Sequence, residues 1–131
     1  MRIVLDTNVI VAAFAARGLC AEVFEVCVTG HSLVVSEHIL AEVSSALLKK
    51  IKLPKHIVRD VIEYLRSAAE VVEPGLINNS MCRDKDDLSV IGTAITGNAS
   101  FIVTGDADLL LLKKCMGIDI ISPRELWSRL R

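Results

Sequence analysis

Short hydrophobic runs alternate along the chain with longer segments in which hydrophobic residues recur every three or four positions. The short runs are rich in β-branched residues and predict strands, whereas the recurrence in the longer segments predicts helices. The predicted strands lie at residues 2–5, 33–35, 70–73, 99–104 and 118–121. The predicted helices lie at residues 9–16, 21–28, 36–47, 57–69, 84–96 and 123–131. This alternation predicts an α/β fold, a three-layer α/β/α sandwich with a central, mainly parallel sheet.

Capping and turn residues mark the ends of these elements. Ser36 is a good N-cap for the third helix, and a capping box begins at Ser122 before the last one. Residues 75–83 form the one long predicted loop, which is too short to link two domains. The sequence has 131 residues, of which 52% are hydrophobic, enough to build one core. We therefore expect a single domain over residues 1–131.

The charge balance excludes one class of nucleic-acid-binding protein. The formal net charge is −1 at pH 7, so the chain does not hold an anionic polymer by overall positive charge. A phosphate-bearing ligand must therefore be met by local groups. Two basic groups are present, and the simpler interpretation of both is that they are solvated helix ends. They comprise Lys49, Lys50, Lys52, Lys55 and Arg59, and Arg124, Arg129 and Arg131.

Hydropathy and cysteine spacing indicate the cellular compartment in which the protein is expected. The longest apolar runs fall far short of the roughly 18 residues that cross a membrane, and Asp6 and Asn8 interrupt what would be the core of a signal peptide. We therefore expect a cytoplasmic protein without a membrane segment or a cleaved leader. The cysteines show no metal-ligand spacing, so free thiols are expected rather than a zinc site. They are Cys20, Cys27, Cys82 and Cys115.

Polar residues follow two of the predicted strands directly. Asp6 and Asn8 come after the first strand, and Asp106 and Asp108 come just after the strand that ends at Thr104. In an open parallel sheet, ligands bind in the crevice at the carboxyl ends of the strands. The acidic residues at both strand ends are therefore candidate ligand-binding or catalytic residues.

Further acids occur on two predicted helices. Glu42 lies at the edge of the buried stripe of the third helix, and spacing alone does not distinguish an inward carboxylate from one that turns outward or pairs with a lysine. Asp84, Asp86 and Asp87 begin the fifth helix. The helix dipole favours acids in a first turn, so one or two of these need no functional explanation, but three exceed what a cap requires.

These acids can converge on one crevice if the strands are parallel. Carboxylates packed together repel, raise one another's pKa and destabilise the fold unless a cation neutralises them. Ligands that are all oxygen favour Mg²⁺ or Mn²⁺ over zinc. Such a site suits metal-assisted phosphodiester hydrolysis, in which the ion activates a water molecule and offsets charge on the phosphate. The acids in question are Asp6, Glu42, Asp87 and Asp106.

In chain order, these motifs resemble those of the PIN-domain ribonucleases, and most closely those of the bacterial and archaeal PIN toxins of toxin–antitoxin pairs, which are related to the VapC toxins. The resemblance spans the chain. It rests on four features: Asp6-Thr7-Asn8 after the first strand, Glu42 in the third helix, residues 83–87 with Ala94 seven positions after Asp87, and residues 103–110.

The resemblance implies a role for each matching position. The four acids named above would hold one or two Mg²⁺ or Mn²⁺ ions, with Asp108 as an auxiliary acid. Asn8 would orient Asp6 or contact substrate, and Thr104 would help to place metal or phosphate. Asp84 and Asp86 compete with Asp87 for the third position, and we choose Asp87 because it is in register with the apolar face of its helix. The resemblance also implies endonucleolytic cleavage of RNA, a homodimer and a cognate antitoxin.

Two other interpretations remain open. The first is a PIN-like module that binds RNA or protein without cutting. The second is a receiver-like domain with a phosphoacceptor aspartate, although Thr7 and Asn8 stand where that fold has further acids. The remaining side chains of interest are expected to be structural: His31, His38 and His56 at the surface, and Trp127 in the core or a dimer contact.

Overall fold

The computed structural model describes residues 1–74 and 85–130. The predicted loop at 75–83, with Cys82, and the candidate acid Asp84 lie outside the described residues. The strands are β1 (Arg2–Leu5), β2 (Ser32–Val35), β3 (Ala69–Val71), β4 (Phe101–Val103), β5 (Lys114–Cys115) and β6 (Ile118–Ile121). The helices are α1 (Thr7–Ala15), α2 (Leu19–Gly30), α3 (Glu37–Lys49), α4 (Lys55–Ala68), α5 (Lys85–Thr96), α6 (Ala107–Leu112) and α7 (Pro123–Leu130).

Within the described residues the strands form a six-stranded sheet in the order β3-β2-β1-β4-β6-β5. All neighbouring pairs are parallel except β5 and β6. Successive strand residues point to opposite faces, and Ile3, Val4 and Leu5 are all fully buried. Both faces of the sheet are therefore covered by helices, which confirms the predicted three-layer α/β/α sandwich with a mainly parallel sheet.

Helix boundaries follow the capping residues. The Ser36 side chain accepts a hydrogen bond from the Ile39 N–H at 3.2 Å, and Ser122 accepts one from Glu125 at 3.1 Å, so both predicted caps are confirmed. The predicted buried stripe of α3 is confirmed as well. Its members are Ile39, Leu40, Val43 and Leu47, each at most 2% exposed.

The first helix begins earlier than its hydrophobic run predicted. The expected start was residue 9, but α1 begins at Thr7 because the Asp6 carboxylate caps the helix. Gly18 is the N-cap residue of α2, with φ of 152°, a backbone conformation that favours glycine. The short elements α6 and β5 were not predicted.

Other predicted structural residues lie against the core. Cys27 is fully buried in the core, as expected of a small apolar residue, and burial raises the pKa of its thiol to about 12. Trp127 on α7 is half-buried against the core, one of the two positions expected for it. Among the described helices, each is too short or too polar to cross a bilayer.

Candidate active site

The two predicted acidic strand ends lie side by side at the centre of the sheet. β1 and β4 are parallel neighbours with Leu5 opposite Val103, and the Asp6 N–H extends this pairing by donating to the Val103 carbonyl at 2.8 Å. Thr104, Gly105 and Asp106 follow β4 directly. The strand-end crevice expected from the sequence is therefore formed by the chain segments after β1 and β4.

Asp6 is fixed by hydrogen bonds to both of its carboxylate oxygens. Oδ1 accepts from the Thr7 N–H at 2.8 Å, and Oδ2 accepts from the Thr104 hydroxyl at 2.7 Å. Asp6 is 8% exposed and Thr104 is completely buried. The carboxylate therefore has one defined orientation before any ligand arrives.

The segment after β4 is held by the same group of residues. The Thr104 oxygen also accepts from the Asp106 N–H at 2.9 Å, so one hydroxyl connects the two strand ends. Asn8 accepts from the Gly105 N–H through its Oδ1 at 3.3 Å. Asp106 caps α6 by accepting from the Asp108 N–H at 2.8 Å. Thr104 and Asn8 thus position the backbone that carries Asp106.

Glu42 reaches this crevice from α3. Its Oε1 accepts a hydrogen bond from the Thr7 hydroxyl at 3.0 Å, and the side chain is half-buried. Of the orientations left open by the sequence, the inward one is observed. Thr7 therefore binds Glu42 through its hydroxyl and Asp6 through its N–H, which ties α3 to the end of β1.

The start of α5 contributes two acids with different environments. Asp87 is 8% exposed, whereas the Asp86 side chain is 58% exposed and its Oδ1 lies 2.9 Å from His38 Nε2. Both aspartates line the same cleft as Asp6. Asp87 is therefore the inner carboxylate of this pair, and Asp86 is the outer one.

The cleft has a volume of about 490 Å³ and is open to solvent. Its acidic wall contains all four acids chosen from the sequence, together with Asp86. The rest of the lining comes from Thr7 and Asn8 at the start of α1 and from residues of α1 and the end of α3 that we call the facing wall, which is apolar apart from one lysine. Its residues are Val11, Ala12, Ala15, Ala46, Lys50 and Ile51.

Burial and crowding shift two of these carboxylates. Burial raises the pKa of Asp6; the hydrogen bonds from Thr104 and Thr7 oppose this shift, and the charges of Asp106 and Asp86 add to it. Burial also raises the pKa of Glu42, opposed by the Thr7 hydrogen bond and reinforced by the charge of Asp86. Both groups therefore resist ionisation in the absence of a cation.

Two further residues singled out from the sequence, Asp108 and His38, lie at exposed positions. Asp108 is exposed and is not among the described residues that line the cleft; its backbone N–H donates to the Asp106 carboxylate that caps α6. His38 is at the surface, as expected, with its side chain 45% exposed, but its Nε2 contacts Asp86 and lies 3.5 Å from Glu42. The four-residue separation of His38 and Glu42 on one helix was the available signal.

The donor set fits a hard divalent cation. The acids that converge here offer carboxylate oxygens, the ligands that Mg²⁺ and Mn²⁺ take, and a thiol is absent from the described cleft residues. A cation would also favour the ionised forms of Asp6 and Glu42, whose pKa values are raised by burial and, to a smaller extent, by neighbouring carboxylate charges. One cluster in the described residues brings ligand atoms within 4.8 Å of one another, namely His38, Glu42 and Asp86.

Comparison with known proteins agrees with this architecture. The chain is similar to one in the crystal structure of VapBC2 from Rickettsia felis bound to a DNA fragment from their promoter, with a TM-score of 0.68, 16% identity, and coverage of 93% of this chain and 98% of that chain. It is also similar to one in the structure of VapBC-1 from nontypeable Haemophilus influenzae, with a TM-score of 0.68, 19% identity, and coverage of 95% and 99%. No curated protein sequence matches the chain.

At these identities the two structures show a shared fold. The family itself is shown by sequence, because the profile of the PIN domain matches residues 2–108, from the start of β1 to the first turn of α6. The matched segment contains every candidate acid of the cleft. The chain therefore belongs to the PIN domain family.

Proposed function

We propose that this protein is a cytoplasmic, Mg²⁺- or Mn²⁺-dependent endoribonuclease and the toxin component of a toxin–antitoxin pair. The observation that carries the proposal is the convergence of Asp6, Glu42, Asp87 and Asp106 on one open cleft. Two of these carboxylates have raised pKa values, as expected of a site that is completed by a cation. Membership of the PIN domain family supports the same chemistry.

The acids would hold the metal, with Asp6 as the central ligand because both of its oxygens are already oriented. When bound, the metal would supply an activated water molecule and neutralise charge on the phosphate. Thr104 holds Asp6 and the Asp106 backbone at a fixed separation, and Thr7 does the same for Asp6 and Glu42. These two threonines would act as positioning residues, since their hydroxyls hydrogen-bond to Glu42 and Asp6.

The facing wall of the cleft would accommodate the RNA on either side of the cut. Lys50 lies on this wall, and it also lines a smaller pocket together with Lys49, Thr7 and Glu42. These cations would meet the phosphates that flank the reacting one, which answers how a chain with net charge −1 binds an anionic polymer. Asn8, exposed at the cleft edge, would orient substrate or the loop that carries Asp106.

The partner proposal rests on the solved structures. The similar chains belong to VapBC2 and VapBC-1. By extension, we propose that this chain also has a cognate antitoxin and that the antitoxin covers the cleft. We also propose a homodimer, in keeping with the resemblance to PIN toxins. Co-purification with the product of an adjacent gene and the mass of the purified protein in solution test these two statements.

The nuclease assignment is tested with purified protein and a pool of single-stranded and structured RNAs, incubated with Mg²⁺, Mn²⁺ or EDTA. We expect cleavage with either metal, none in EDTA, and a loss of at least about 100-fold in Asp87→Asn, because loss of a group that only orients a metal ligand already costs about 10- to 100-fold. Asp60→Asn, an exposed acid on α4, is the matched control and should cut like the wild type.

The outcomes separate the alternatives. Cleavage that persists in EDTA, or that is undiminished in Asp87→Asn, would overturn the metal-dependent assignment. Binding of RNA and metal without cleavage of any substrate would instead indicate the non-catalytic module. Transfer of a phosphoryl group to Asp6 from a small phosphodonor would indicate the receiver-like alternative.

A further inference from the structure

His38 occupies a place that the acidic site does not require. It lies in the first turn of α3, and its Nε2 is 2.9 Å from Asp86 Oδ1 and 3.5 Å from Glu42 Oε1. We call the exposed edge of the cleft formed by Asp86 and His38 the cleft mouth. The ring therefore faces two carboxylates from two different helices. A nitrogen donor therefore lies beside a group of oxygen donors.

The three groups are arranged as neighbouring ligands of one ion. In an octahedral site with metal–ligand bonds of about 2.1 Å, adjacent ligand atoms lie about 3.0 Å apart. The two distances from His38 Nε2 are close to this value, and all three ligand atoms lie within 4.8 Å of one another. An ion placed among them needs small side-chain rotations rather than a change of backbone.

The arrangement follows from the helices. Residues four apart lie on the same face of a helix, so His38 and Glu42 project from α3 in one direction. Asp86 meets them from the first turn of α5, which packs against α3. The backbone positions of the three donors are thus set by two packed helices, although the side chains of His38 and Asp86 are exposed.

We infer that His38 is a metal ligand through Nε2 and that it gives the site a preference for Mn²⁺ over Mg²⁺. This inference rests on the proposed metal site and names a feature that the four acids alone do not supply. Mg²⁺ favours oxygen ligands and demands a near-ideal octahedral site. Imidazole suits several first-row transition metals, and Mn²⁺, which belongs to that series, also suits carboxylates. A nitrogen at the cleft mouth therefore discriminates between two ions that carboxylates treat alike.

The competing explanation is an ion pair. A protonated His38 would donate to Asp86 and stabilise the cleft mouth, but an exposed pair of this kind contributes little. The two roles exclude each other at Nε2, because a proton and a metal ion use the same lone pair. A direct probe of nitrogen bound to the ion therefore distinguishes them.

The experiment uses untagged protein loaded with Mn²⁺, so that its three histidines are the only imidazoles present. Electron spin echo envelope modulation of bound Mn²⁺ should show coupling to ¹⁴N in the wild type, and His38→Ala should abolish this coupling. Mn²⁺ affinity, measured from the free-ion resonance, should fall about tenfold in His38→Ala, in the range found for lost metal-site groups. Mg²⁺ affinity, measured by competition with Mn²⁺, should fall less.

Two further variants sharpen the test. His38→Gln keeps the length and neutrality of the side chain but offers an oxygen, so the ¹⁴N coupling should vanish and the ratio of Mn²⁺ to Mg²⁺ affinity should fall. His56→Ala removes an exposed histidine outside the cleft and should match the wild type in every measurement. Circular dichroism of each variant checks that it is folded.

Failure of this inference is distinguishable from failure of the proposed function. Mn²⁺ binding without ¹⁴N coupling, or with unchanged affinity in a folded His38→Ala variant, overturns the role of His38 and leaves the acidic site intact. Absence of binding of both ions in the wild type overturns both. Equal loss of Mn²⁺ and Mg²⁺ affinity in His38→Ala contradicts the selectivity, because it would show a general effect on the cleft.

Discussion

The inner end and the mouth of the cleft are built in different ways. At the inner end, Asp6 is 8% exposed and both of its oxygens accept hydrogen bonds from neighbouring backbone or buried hydroxyl groups. At the mouth, the side chains of His38 and Asp86 are 45% and 58% exposed and contact each other across two helices. One end is fixed by the sheet, and the other is formed by the packing of α3 and α5 against each other.

This difference assigns different tasks to the two ends. Groups held by the sheet keep their geometry whether or not a ligand is present, and such preorganisation suits the chemical step. Groups at the mouth can adjust, which suits the choice of ion and the contact with a long polymer. We therefore expect substitutions at the inner end to reduce turnover, and substitutions at the mouth to change affinity and selectivity.

The largest effect in this comparison is expected from Thr104→Val. The substitution keeps the shape of the side chain but removes the hydroxyl that donates to Asp6 and accepts from the Asp106 N–H. We expect kcat to fall by about 10- to 100-fold, the usual cost of removing a group that orients a metal ligand. Steady-state cleavage kinetics at saturating metal measure it.

Thr93→Val is the matched control for this substitution. Thr93 is also completely buried, but its hydroxyl donates to the Ser89 carbonyl within α5 rather than to an acid. Its loss should leave kcat near the wild-type value. If both variants lose kcat to the same extent, the effect of Thr104 is one of general packing, and its positioning role is wrong.

A smaller effect is expected from Lys50→Ala at the mouth. Lys50 lines the cleft, whereas the hydrogen bonds that fix Asp6 come from Thr7 and Thr104, so kcat should be nearly unchanged. We expect KM to rise about fivefold, as for a loss of about 1 kcal/mol. The slope of log affinity against log salt should decrease by about 1, since one phosphate contact is lost. Lys55→Ala, at the exposed start of α4, is the control.

An unchanged salt slope in Lys50→Ala would count against this side of the cleft as an RNA path. The basic residues of the sequence would then be solvated helix ends, which is the simpler interpretation of their charge. A fall in kcat with unchanged KM would instead place Lys50 close to the reacting phosphate and reduce the contrast between the two ends.

The inner end was accessible to prediction from sequence because it depends on neighbours along the chain. A run of strand residues followed by Asp6, and another followed by Thr104 and Asp106, placed both groups at strand ends once the sheet was taken as parallel. The buried face of α3 was equally readable from its period, and it brought Glu42 to the same edge. These inferences needed only local pattern and one rule of sheet geometry.

The mouth depends on contacts between distant elements, which leave a weaker trace in the sequence. The pairing of His38 with Asp86 joins residues 48 positions apart, and their approach is set by how α5 packs on α3. The four-residue spacing of His38 and Glu42 was visible, but it predicts a shared face without saying what that face meets. The strand β5 was missed for a related reason, since two residues carry no period.

The smallest effect concerns stability in the absence of metal and follows from the raised pKa of Asp6. An aspartate whose pKa is raised on folding stabilises the folded state fully below its ordinary value of 3.8, and this contribution is lost as the pH rises through the raised value. In EDTA, the wild type should therefore lose stability relative to Asp6→Asn as the pH rises above 3.8 and through the raised pKa of Asp6. Above that range the difference should be constant.

The sign of this difference tests which force dominates at the inner end. The amide of Asp6→Asn still accepts from the Thr7 N–H, and the Thr104 hydroxyl can turn to accept from it, so the variant keeps its contacts and loses the buried charge. At pH 7 in EDTA we expect a Tm several degrees above that of the wild type, since about 1 kcal/mol corresponds to about 4 °C in a domain of this size. Asp60→Asn should show no such difference.

Metal should reverse this order. A bound ion stabilises the folded state in proportion to its affinity, so Mg²⁺ or Mn²⁺ should raise the Tm of the wild type more than that of Asp6→Asn. A variant that is less stable than the wild type in EDTA at pH 7 would contradict the expectation. It would show that the hydrogen bonds from Thr104 and Thr7 outweigh burial, and that Asp6 is ionised and satisfied without a cation.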